Sequence, residues 1–311
     1  MKTRILQAPD GVSTIVEALA AGESVALPTE TVYGLAADAL SPEACAKIFE
    51  AKSRPLSDPL IVHIPSLDWL PRLTSPTPTA LALADKFWPG PLTMVLPRQS
   101  IVPDIVTAGQ DTVAIRRSAH PLFDEVAKAF GKPLAAPSAN RFGRISPTTA
   151  AHVLAELDGR IPFILDGGPC AHGIESTIVH VSEDGLRVLR EGPITRDDLR
   201  AFGPLLEDHI AISAPGGLKS HYAPRTPLVL EKNHSPRSEK TGLLAFSSPS
   251  EGFAKIEILS AKSDLREAAA NLYGAMRHLD EAGLDLIVAE EIPETGIGVA
   301  IMERLRKAAA R

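Results

Sequence analysis

The fold is decided by two neighbouring stretches, PTETVYGLAADA at residues 28–39 and IFEAKSRPLSDPLIVHI at residues 48–64. Before them, Ser24–Leu27 predicts a short buried strand that a proline ends. Pro42–Lys52 predicts a helix, because its apolar residues fall on one face. Two prolines then keep the chain extended into a second strand, Leu60–Ile64. This strand–helix–strand span brings hydroxyls, a tyrosine, a Lys-x-Arg pair and a histidine close together.

The same reasoning predicts further elements on either side of this span. Helices are predicted at Ser13–Ala21, Pro78–Trp88, Pro121–Phe130 and Thr148–Leu157. Strands are predicted at Leu92–Leu96, Thr112–Ile115, Leu134–Pro137, Phe163–Asp166, Thr177–Val181 and Leu186–Leu189, and residues 101–111 are predicted to be a loop. Strands and helices mix without strict alternation, which favours an α/β fold with a twisted mixed sheet and helices packed on it.

A change in composition near Ala201 divides the chain. We predict a first domain at 1–203, a linker at 204–240 and a second, smaller Rossmann-like α/β domain at 241–311. Within the linker, residues 214–227 are expected to be functional and 232–240 flexible. In the second domain we predict strands at Leu243–Phe246, Ile256–Leu259 and Leu286–Ala289, and helices at Asp264–Glu281 and Ile297–Ala309.

Composition limits the classes of function. The 311 residues allow two domains, and the net charge of −6 argues against a protein whose main task is to grip nucleic acid. A local basic cleft and a weak RNA contact stay compatible with this overall negative charge. No apolar run approaches the roughly 20 residues that span a bilayer, and the N-terminus lacks a signal-peptide core, so we expect a cytoplasmic protein without a membrane partner. Cys45 and Cys170 have no partner at metal-ligand spacing, so no metal-ligand set is predicted.

One group of side chains suits a phosphate chain. The sequence has no GxGxxG or P-loop motif, so cationic side chains must replace the backbone cradle of such loops. Lys52, Arg54 and Arg116 could converge on this anion, and Ser138 and Asn140 could add neutral donors. Taken singly, each has a simpler explanation. Cations at the end of a helix complement its dipole, and Ser-Ala-Asn is an ordinary polar turn.

A second group suits a small zwitterion such as an amino acid. Thr31, His63 and Ser176 offer small hydroxyls and one imidazole. The simpler alternatives are a core histidine for His63 and a strand-edge cap for Ser176. Asp166 and Glu175 could hold a metal or cap turns, and turns are favoured.

Five motifs resemble one known family. They are PTETVYGL (28–35), KSRP (52–55), DPLIVHI (58–64), APSANRFGRISPT (136–148) and KSHYAP (219–224). Their residues and order are similar to those of the YrdC-like threonylcarbamoyl-AMP synthases in their two-domain form. The resemblance covers most of residues 10–225 and is weaker after that.

The resemblance implies an enzyme that joins ATP, L-threonine and bicarbonate into threonylcarbamoyl-adenylate and pyrophosphate, with Mg²⁺ accompanying ATP. A separate transferase would pass the threonylcarbamoyl group to a tRNA adenosine next to the anticodon. By this similarity the threonine contacts are Thr31, His63, Arg116, Ala136 and Ser176. The nucleotide contacts are Lys52, Arg54, Asp58, Thr112, Ser138, Asn140, Ser146, Arg190 and Tyr222. Many family members have asparagine where this chain has Asp58.

The resemblance also implies how the chemistry proceeds. Catalysis would rest on positioning and charge stabilisation, without a covalent enzyme intermediate. Acyl-adenylates are labile in water, so the KSHYAP segment is expected to act as a lid, with Tyr222 over the pocket. Three alternatives stay open from the residues alone: a nucleic-acid-binding module, a hydrolase or carbamoyl transferase acting on another carbamoyl-adenylate, and a sensor of ATP or an amino acid.

Overall fold

The computed structural model describes residues 2–207, 221–231, 238–248 and 250–310. Its strands are β1 Arg4–Gln7, β2 Val25–Leu27, β3 Gly34–Asp38, β4 Ile61–His63, β5 Leu92–Pro97, β6 Thr112–Arg116, β7 Leu134–Ala135, β8 Phe163–Asp166, β9 Thr177–Val181, β10 Leu186–Arg190, β11 Leu228–Glu231, β12 Thr241–Ala245, β13 Lys255–Ile258 and β14 Leu286–Glu290. Its helices are α1 Asp10–Ala20, α2 Pro42–Lys52, α3 Leu70–Leu73, α4 Pro78–Phe87, α5 Asp104–Thr107, α6 Pro121–Phe130, α7 Ala150–Leu157, α8 Arg196–Arg200, α9 Leu265–Asp280 and α10 Gly298–Ala309.

Ten of the described strands form one mixed sheet, in the order β1-β8-β2-β3-β7-β4-β6-β5-β9-β10. Near its middle, β4 and β6 run parallel and their register places His63 beside Arg116. Arg116 lies opposite Thr93 of β5 on its other side. Strand β5 in turn pairs with β9, which begins directly after Ser176. The register of these strands therefore brings predicted site residues together where the ends of adjacent strands meet.

The other four described strands form a parallel sheet in the order β11-β14-β12-β13. Helices α9 and α10 belong to an apolar cluster with this sheet and with Val32, Ile145 and Ile174 of the first domain. The two domains are in close contact. Gly173 of the first domain has φ 68°, and a Cβ there would lie 2.4 Å from the carbonyl oxygen of Ala270 in α9.

The predicted fold class is confirmed: a mixed sheet with packed helices and a smaller α/β domain. Several bounds agree to the residue, among them those of α2, α6, β8 and β9. Local signals explain this agreement. For α2, Pro42 lies in the first turn, the Ser41 hydroxyl accepts from the Ala44 amide, and Ser53 ends the helix with φ 52°.

Six elements were not predicted: β1, β3, β11, α3, α5 and α8. Residues 101–111 were predicted to be a loop but contain α5. Strand β3 is alanine-rich and buried along its whole length, so it lacks the alternation that marks a half-exposed strand. Strand β11 lies inside 204–240, which was predicted to be a linker. The remaining linker predictions for 208–220 and 232–237 fall outside the described residues.

In the described part of the chain, no helix combines the length and apolar character that a membrane crossing requires. Cys45 is fully buried on the apolar face of α2, and burial raises the pKa of its thiol to about 12.

Candidate active site

One pocket collects side chains from both groups that the sequence singled out. It encloses about 500 Å³ of free space, part of it open to solvent. The predicted site residues that line it are Thr31, Arg54, His63, Arg116, Ala136, Ser138, Ser176, Arg190 and Tyr222. The predicted residues absent from its lining are Lys52, Asp58, Thr112, Asn140 and Ser146. The convergence of distant cationic and hydroxylic side chains is thus observed, whereas their contacts with substrates stay predictions.

Arg116 organises one side of the pocket. Its Nη1 donates to the Thr31 hydroxyl at 2.9 Å, and its Nη2 lies 2.7 Å from Oε1 of Glu30. The Ser118 hydroxyl donates to the other oxygen of Glu30 at 2.5 Å. Burial alone would raise the pKa of Glu30, but the guanidinium of Arg116 and the Ser118 hydroxyl lower it to about 2. This buried ion pair orients the guanidinium beside Thr31. Glu30 was not predicted as a site residue.

His63 is neutral in this environment. Burial and the nearby Arg116 guanidinium lower its pKa to about 3. Its ring packs against Phe123 with centroids 4.7 Å apart, and its Nδ1 is buried without a hydrogen-bond partner among the described residues. His63 therefore offers the pocket a hydrogen-bonding imidazole rather than a charge.

Ser176 and Arg190 form a hydrogen-bonded part of the pocket wall. Arg190 donates from Nε and Nη2 to the Ser176 carbonyl oxygen at 3.0 and 2.9 Å, and from Nη2 to the Ser176 hydroxyl at 3.1 Å. The Ser176 hydroxyl also lies 2.7 Å from the hydroxyl of Thr93 on β5. Ser176 is therefore more than a strand-edge cap, because its hydroxyl and carbonyl are both held beside the pocket.

The end of α2 supplies Lys52 and, after the left-handed turn at Ser53, Arg54. Arg54 makes a buried ion pair with Asp58, Nη2 to Oδ2 at 3.0 Å, and donates to the carbonyl oxygen of Pro59 at 2.8 Å. An acid at position 58 is thus matched by the arginine four residues earlier. Lys52 is 1% exposed and donates to the carbonyl oxygens of Ser138 and Asn140, each at 2.5 Å.

The Lys52 contacts lead to a first prediction. Lys52→Met removes the donor that holds both carbonyls of the Ser138–Asn140 segment. If the pocket binds ATP as the sequence predicts, the affinity should fall by about 10-fold, because a buried acceptor left without its donor costs roughly 1–3 kcal/mol. Isothermal titration with a non-hydrolysable ATP analogue measures this change. Lys47→Met is the matched control on the same helix, because Lys47 is half-exposed and its ion pair in the described part of the chain is with Glu23. Equal affinities of the two variants would contradict the prediction.

The remaining predicted nucleotide residues are placed differently. The Asn140 side-chain amide donates to the carbonyl oxygens of Arg141 and Arg144, at 2.8 and 2.9 Å, which folds the loop after Ser138. Ser146 is fully buried beside the Glu175 carboxylate. Thr112 begins β6, about 13 Å along the strand from Arg116, so the structure does not bring it to the pocket.

Three polar side chains of the pocket wall were not predicted as site residues: Thr29, Glu175 and His221. Glu175 does not cap a turn as favoured, because its carboxylate accepts from the Tyr273 hydroxyl at 3.0 and 2.9 Å and pairs with Arg304 at 3.1 Å. Both partners come from the second domain, so no local signal could have indicated them. For Asp166 the turn interpretation is confirmed, since its carboxylate accepts from the Gly168 amide at 2.9 Å.

Tyr222 lies against the pocket, as the lid prediction requires. It is 1% exposed and has φ 61°, a conformation that costs a non-glycine residue energy and is kept only where packing enforces it. Its ring packs between His221, at 4.2 Å, and Tyr273, at 5.9 Å. Lys219 and Ser220 of the same motif lie outside the described residues.

The carboxylates around the pocket suit Mg²⁺ poorly as ligands. Glu30, Asp58 and Glu175 are each paired with an arginine. Over the described ranges, no group of three or more His, Cys, Asp or Glu residues is arranged to hold a metal ion. A Mg²⁺ ion that arrives with ATP would therefore be held mainly by the phosphates and water.

Acid should destabilise the chain in two stages. Burial lowers the pKa of His63 and His221 to about 3 and that of His152 to about 4, so these rings stay neutral when folded but take up protons when unfolded below pH 6.5. As the pH falls below 6.5, the loss of unfolding free energy from the three rings should steepen to about 4 kcal/mol per pH unit near pH 5, where the unfolded rings are protonated and the folded ones are neutral. Glu30 and Glu175, each with a folded pKa of about 2, should add further losses below pH 4.5.

Urea unfolding at several pH values between about 5 and 7.5 measures this slope. His152→Gln should reduce it by about one proton, or roughly 1.4 kcal/mol per pH unit. A free energy of unfolding that does not change over this range would contradict the assignment of neutral buried histidines.

Comparisons with known proteins agree with this architecture. A family model described as "Telomere recombination" matches residues 17–192, and one described as "Threonylcarbamoyl-AMP synthase, C-terminal domain" matches residues 194–310. The threonylcarbamoyl-AMP synthase of Bacillus subtilis is 42% identical over 309 residues, which cover 92% of this chain and 89% of that protein. That of Pyrococcus abyssi is 40% identical over 311 residues, which cover 92% of this chain and 90% of that protein.

The crystal structure of P. abyssi Sua5 complexed with L-threonine matches with a TM-score of 0.90 at 36% identity, covering 99% of this chain and 98% of that one. The chain belongs to the threonylcarbamoyl-AMP synthase family of enzymes.

Proposed function

We propose that the pocket binds L-threonine, bicarbonate and ATP and forms L-threonylcarbamoyladenylate with release of pyrophosphate. The single observation that carries this proposal is the convergence of Arg54, His63, Arg116, Ser138 and Ser176 on one pocket. Such a set combines cations for phosphate and carboxylate groups with neutral hydrogen-bonding groups for a small polar ligand.

Threonine would occupy the side of the pocket around Arg116. The guanidinium offers a positive charge to the carboxylate of the amino acid, and its ion pair with Glu30 keeps it oriented. The hydroxyls of Thr31 and Ser176 and the neutral His63 ring offer hydrogen bonds to the amine and the hydroxyl of the ligand. The backbone at Ala136 lies in the same wall.

ATP would occupy the side formed by Arg54, Ser138, Arg190 and Tyr222. The two guanidiniums offer positive charge and N–H donors to phosphate oxygens. Three residues would act one contact away, by holding the segments that carry these side chains: Lys52, Asp58 and Asn140. Ser146 would act from its place beside the Glu175 carboxylate. Direct nucleotide contacts of these four residues and of Thr112 stay predictions.

The reaction balances without a covalent enzyme intermediate. The threonine amine adds to carbon dioxide derived from bicarbonate and loses a proton, which gives a carbamate. A carbamate oxygen then attacks the α-phosphorus of ATP, the bond from this phosphorus to the bridging oxygen breaks, and pyrophosphate leaves. The chain's contribution is to position the carbamate in line with that bond and to stabilise the charge that develops on the phosphate oxygens.

The product would supply the threonylcarbamoyl group for a tRNA adenosine next to the anticodon, through a separate transferase. Membership of the family supports this step. An acyl-adenylate hydrolyses readily in water, so the closed position of Tyr222 fits a product that must be protected until it is handed over.

Incubating the purified chain with ATP, Mg²⁺, carbon-13-labelled bicarbonate and each amino acid in turn tests the proposal. We expect pyrophosphate release only with threonine, and mass spectrometry should find an adenylate that carries the label. Release that does not depend on bicarbonate, or equal release with serine and valine, would overturn the assigned substrates. Hydrolysis of ATP without a labelled adenylate would overturn the reaction.

A further inference from the structure

The second domain places a buried, charged side chain against the first domain. Arg304 of α10 is 0% exposed and is the largest fully buried side chain among the described residues. Burying a guanidinium is costly unless acceptors surround it. Arg304 donates from Nε to Oε2 of Glu175 at 3.1 Å and from Nη1 to the carbonyl oxygen of Glu191 at 2.6 Å. Both acceptors belong to the first domain.

These two acceptors are the chain neighbours of proposed substrate contacts. Glu175 directly precedes Ser176, and Glu191 directly follows Arg190. Ser176 and Arg190 are themselves joined by three hydrogen bonds. Arg304 therefore binds the residue next to Ser176 and the residue next to Arg190, and so it holds this hydrogen-bonded pair from both sides of the chain. Arg304 itself does not line the pocket.

The same guanidinium supports the side chain that covers the pocket. Its Cζ lies 5.5 Å from the centroid of the Tyr222 ring, within the range of a cation–π contact. Tyr273 of α9 also stacks on the Tyr222 ring, with centroids 5.9 Å apart, and its hydroxyl donates to the Glu175 carboxylate. Two helices of the second domain thus hold Glu175 and Tyr222 at once.

We propose that Arg304 is a positioning residue, through which the second domain holds Ser176, Arg190 and Tyr222 in their substrate-binding arrangement. The inference rests on the proposed function for the identity of the substrates. The alternative is that Arg304 only attaches one domain to the other. An attachment alone would change the stability of the chain, whereas a positioning role must also change the Michaelis constants.

Arginine suits this place better than lysine. A planar guanidinium can meet the Glu175 carboxylate and the Glu191 carbonyl in two directions while its face lies near the Tyr222 ring, and a single ammonium cannot do all three. Arg304→Lys keeps the positive charge beside Glu175 and loses part of this geometry. Arg306→Lys is the matched control on the same helix, because the Arg306 side chain is 53% exposed and pairs with Glu294.

Steady-state kinetics of pyrophosphate release should distinguish a positioning role of Arg304 from domain attachment alone. For Arg304→Lys we expect kcat/KM for threonine and for ATP to fall by about 10-fold or more, with a higher KM for both substrates, because small misplacements of binding groups are costly. Arg306→Lys should stay within about two-fold of the wild type, as exposed ion pairs contribute little. Identical Michaelis constants in the two variants would overturn the inference.

Wild-type turnover keeps this test distinct from that of the proposed function. If the wild type forms no threonine-dependent adenylate, the proposed function fails, whereas normal turnover by both variants removes only the role of Arg304.

Should Arg304→Lys not fold, Tyr273→Phe provides the second test, since it deletes one hydroxyl and leaves the ring in place. We expect a several-fold higher KM for threonine with unchanged circular dichroism, and an unchanged KM would overturn the inference.

Discussion

Replacing Arg116 with methionine should destabilise the folded chain by about 3–5 kcal/mol, because it leaves the Glu30 carboxylate buried without its cation. Glu30 is 7% exposed, and the Ser118 hydroxyl is its other side-chain partner among the described residues. The same substitution removes the positive charge proposed for the threonine carboxylate. We therefore also expect adenylate formation to fall on the order of 10²–10³-fold, as when a preorganised donor is deleted from an active site.

A double variant separates these two effects. Glu30→Gln combined with Arg116→Met removes both charges, so the free energy of unfolding should recover most of the loss while activity stays low. Urea denaturation and the pyrophosphate assay measure the two quantities. Lys128→Met is the surface control, since its pair with Asp124 is exposed and should be worth less than about 1 kcal/mol. Recovery of activity in the double variant would contradict a role of Arg116 in binding.

Ending the chain after Gly203 should reduce adenylate formation on the order of 100-fold or more, while the first domain stays folded. The two large apolar clusters of that domain are built from residues between Val12 and Leu199 and survive the cut. The cut removes Tyr222 from the pocket and takes Arg304 and Tyr273 away from Glu175. Water would then reach a site whose product is labile.

Circular dichroism and the pyrophosphate assay test this prediction together. The truncated chain should also associate more readily, because Val32, Ile145 and Ile174 lose the helices that cover them. Tyr222→Ala in the full chain separates the pocket cover from the second domain, because it deletes the ring and keeps Arg304 in place. Full activity of the folded truncated chain would rule out both the lid and the positioning role.

Much of the fold could be predicted where local signals are strong. Helices α2 and α6 each begin with a proline in the first turn, and α6 ends at Gly131 with φ 74°. Strand β3 escaped prediction because full burial removes the polar–apolar alternation. Strand β11 lies among prolines that resemble a linker, and its place in a sheet depends on pairing with β14, more than fifty residues later.

The candidate site divides in the same way. Side chains that suit a nucleotide and an amino acid could be named from their types and motifs, and most of them line one pocket. Their partners could not be named. Ser118 meets Glu30 across 88 positions of sequence, and Arg304 meets Glu175 across 129. A charge that looks unremarkable in the sequence becomes important only when another element buries it.

Motifs, helix caps and apolar periodicity act over a few residues, so the two-domain α/β class, the family and the set of cations and hydroxyls could be predicted from the sequence. Three features needed the folded chain: Lys52 holds carbonyl groups instead of lining the pocket, Glu175 is a buried anion, and the second domain reaches the pocket wall. All three are consequences of burial. A polar group taken out of water must find a partner, and that partner is chosen by packing between elements that are far apart along the chain.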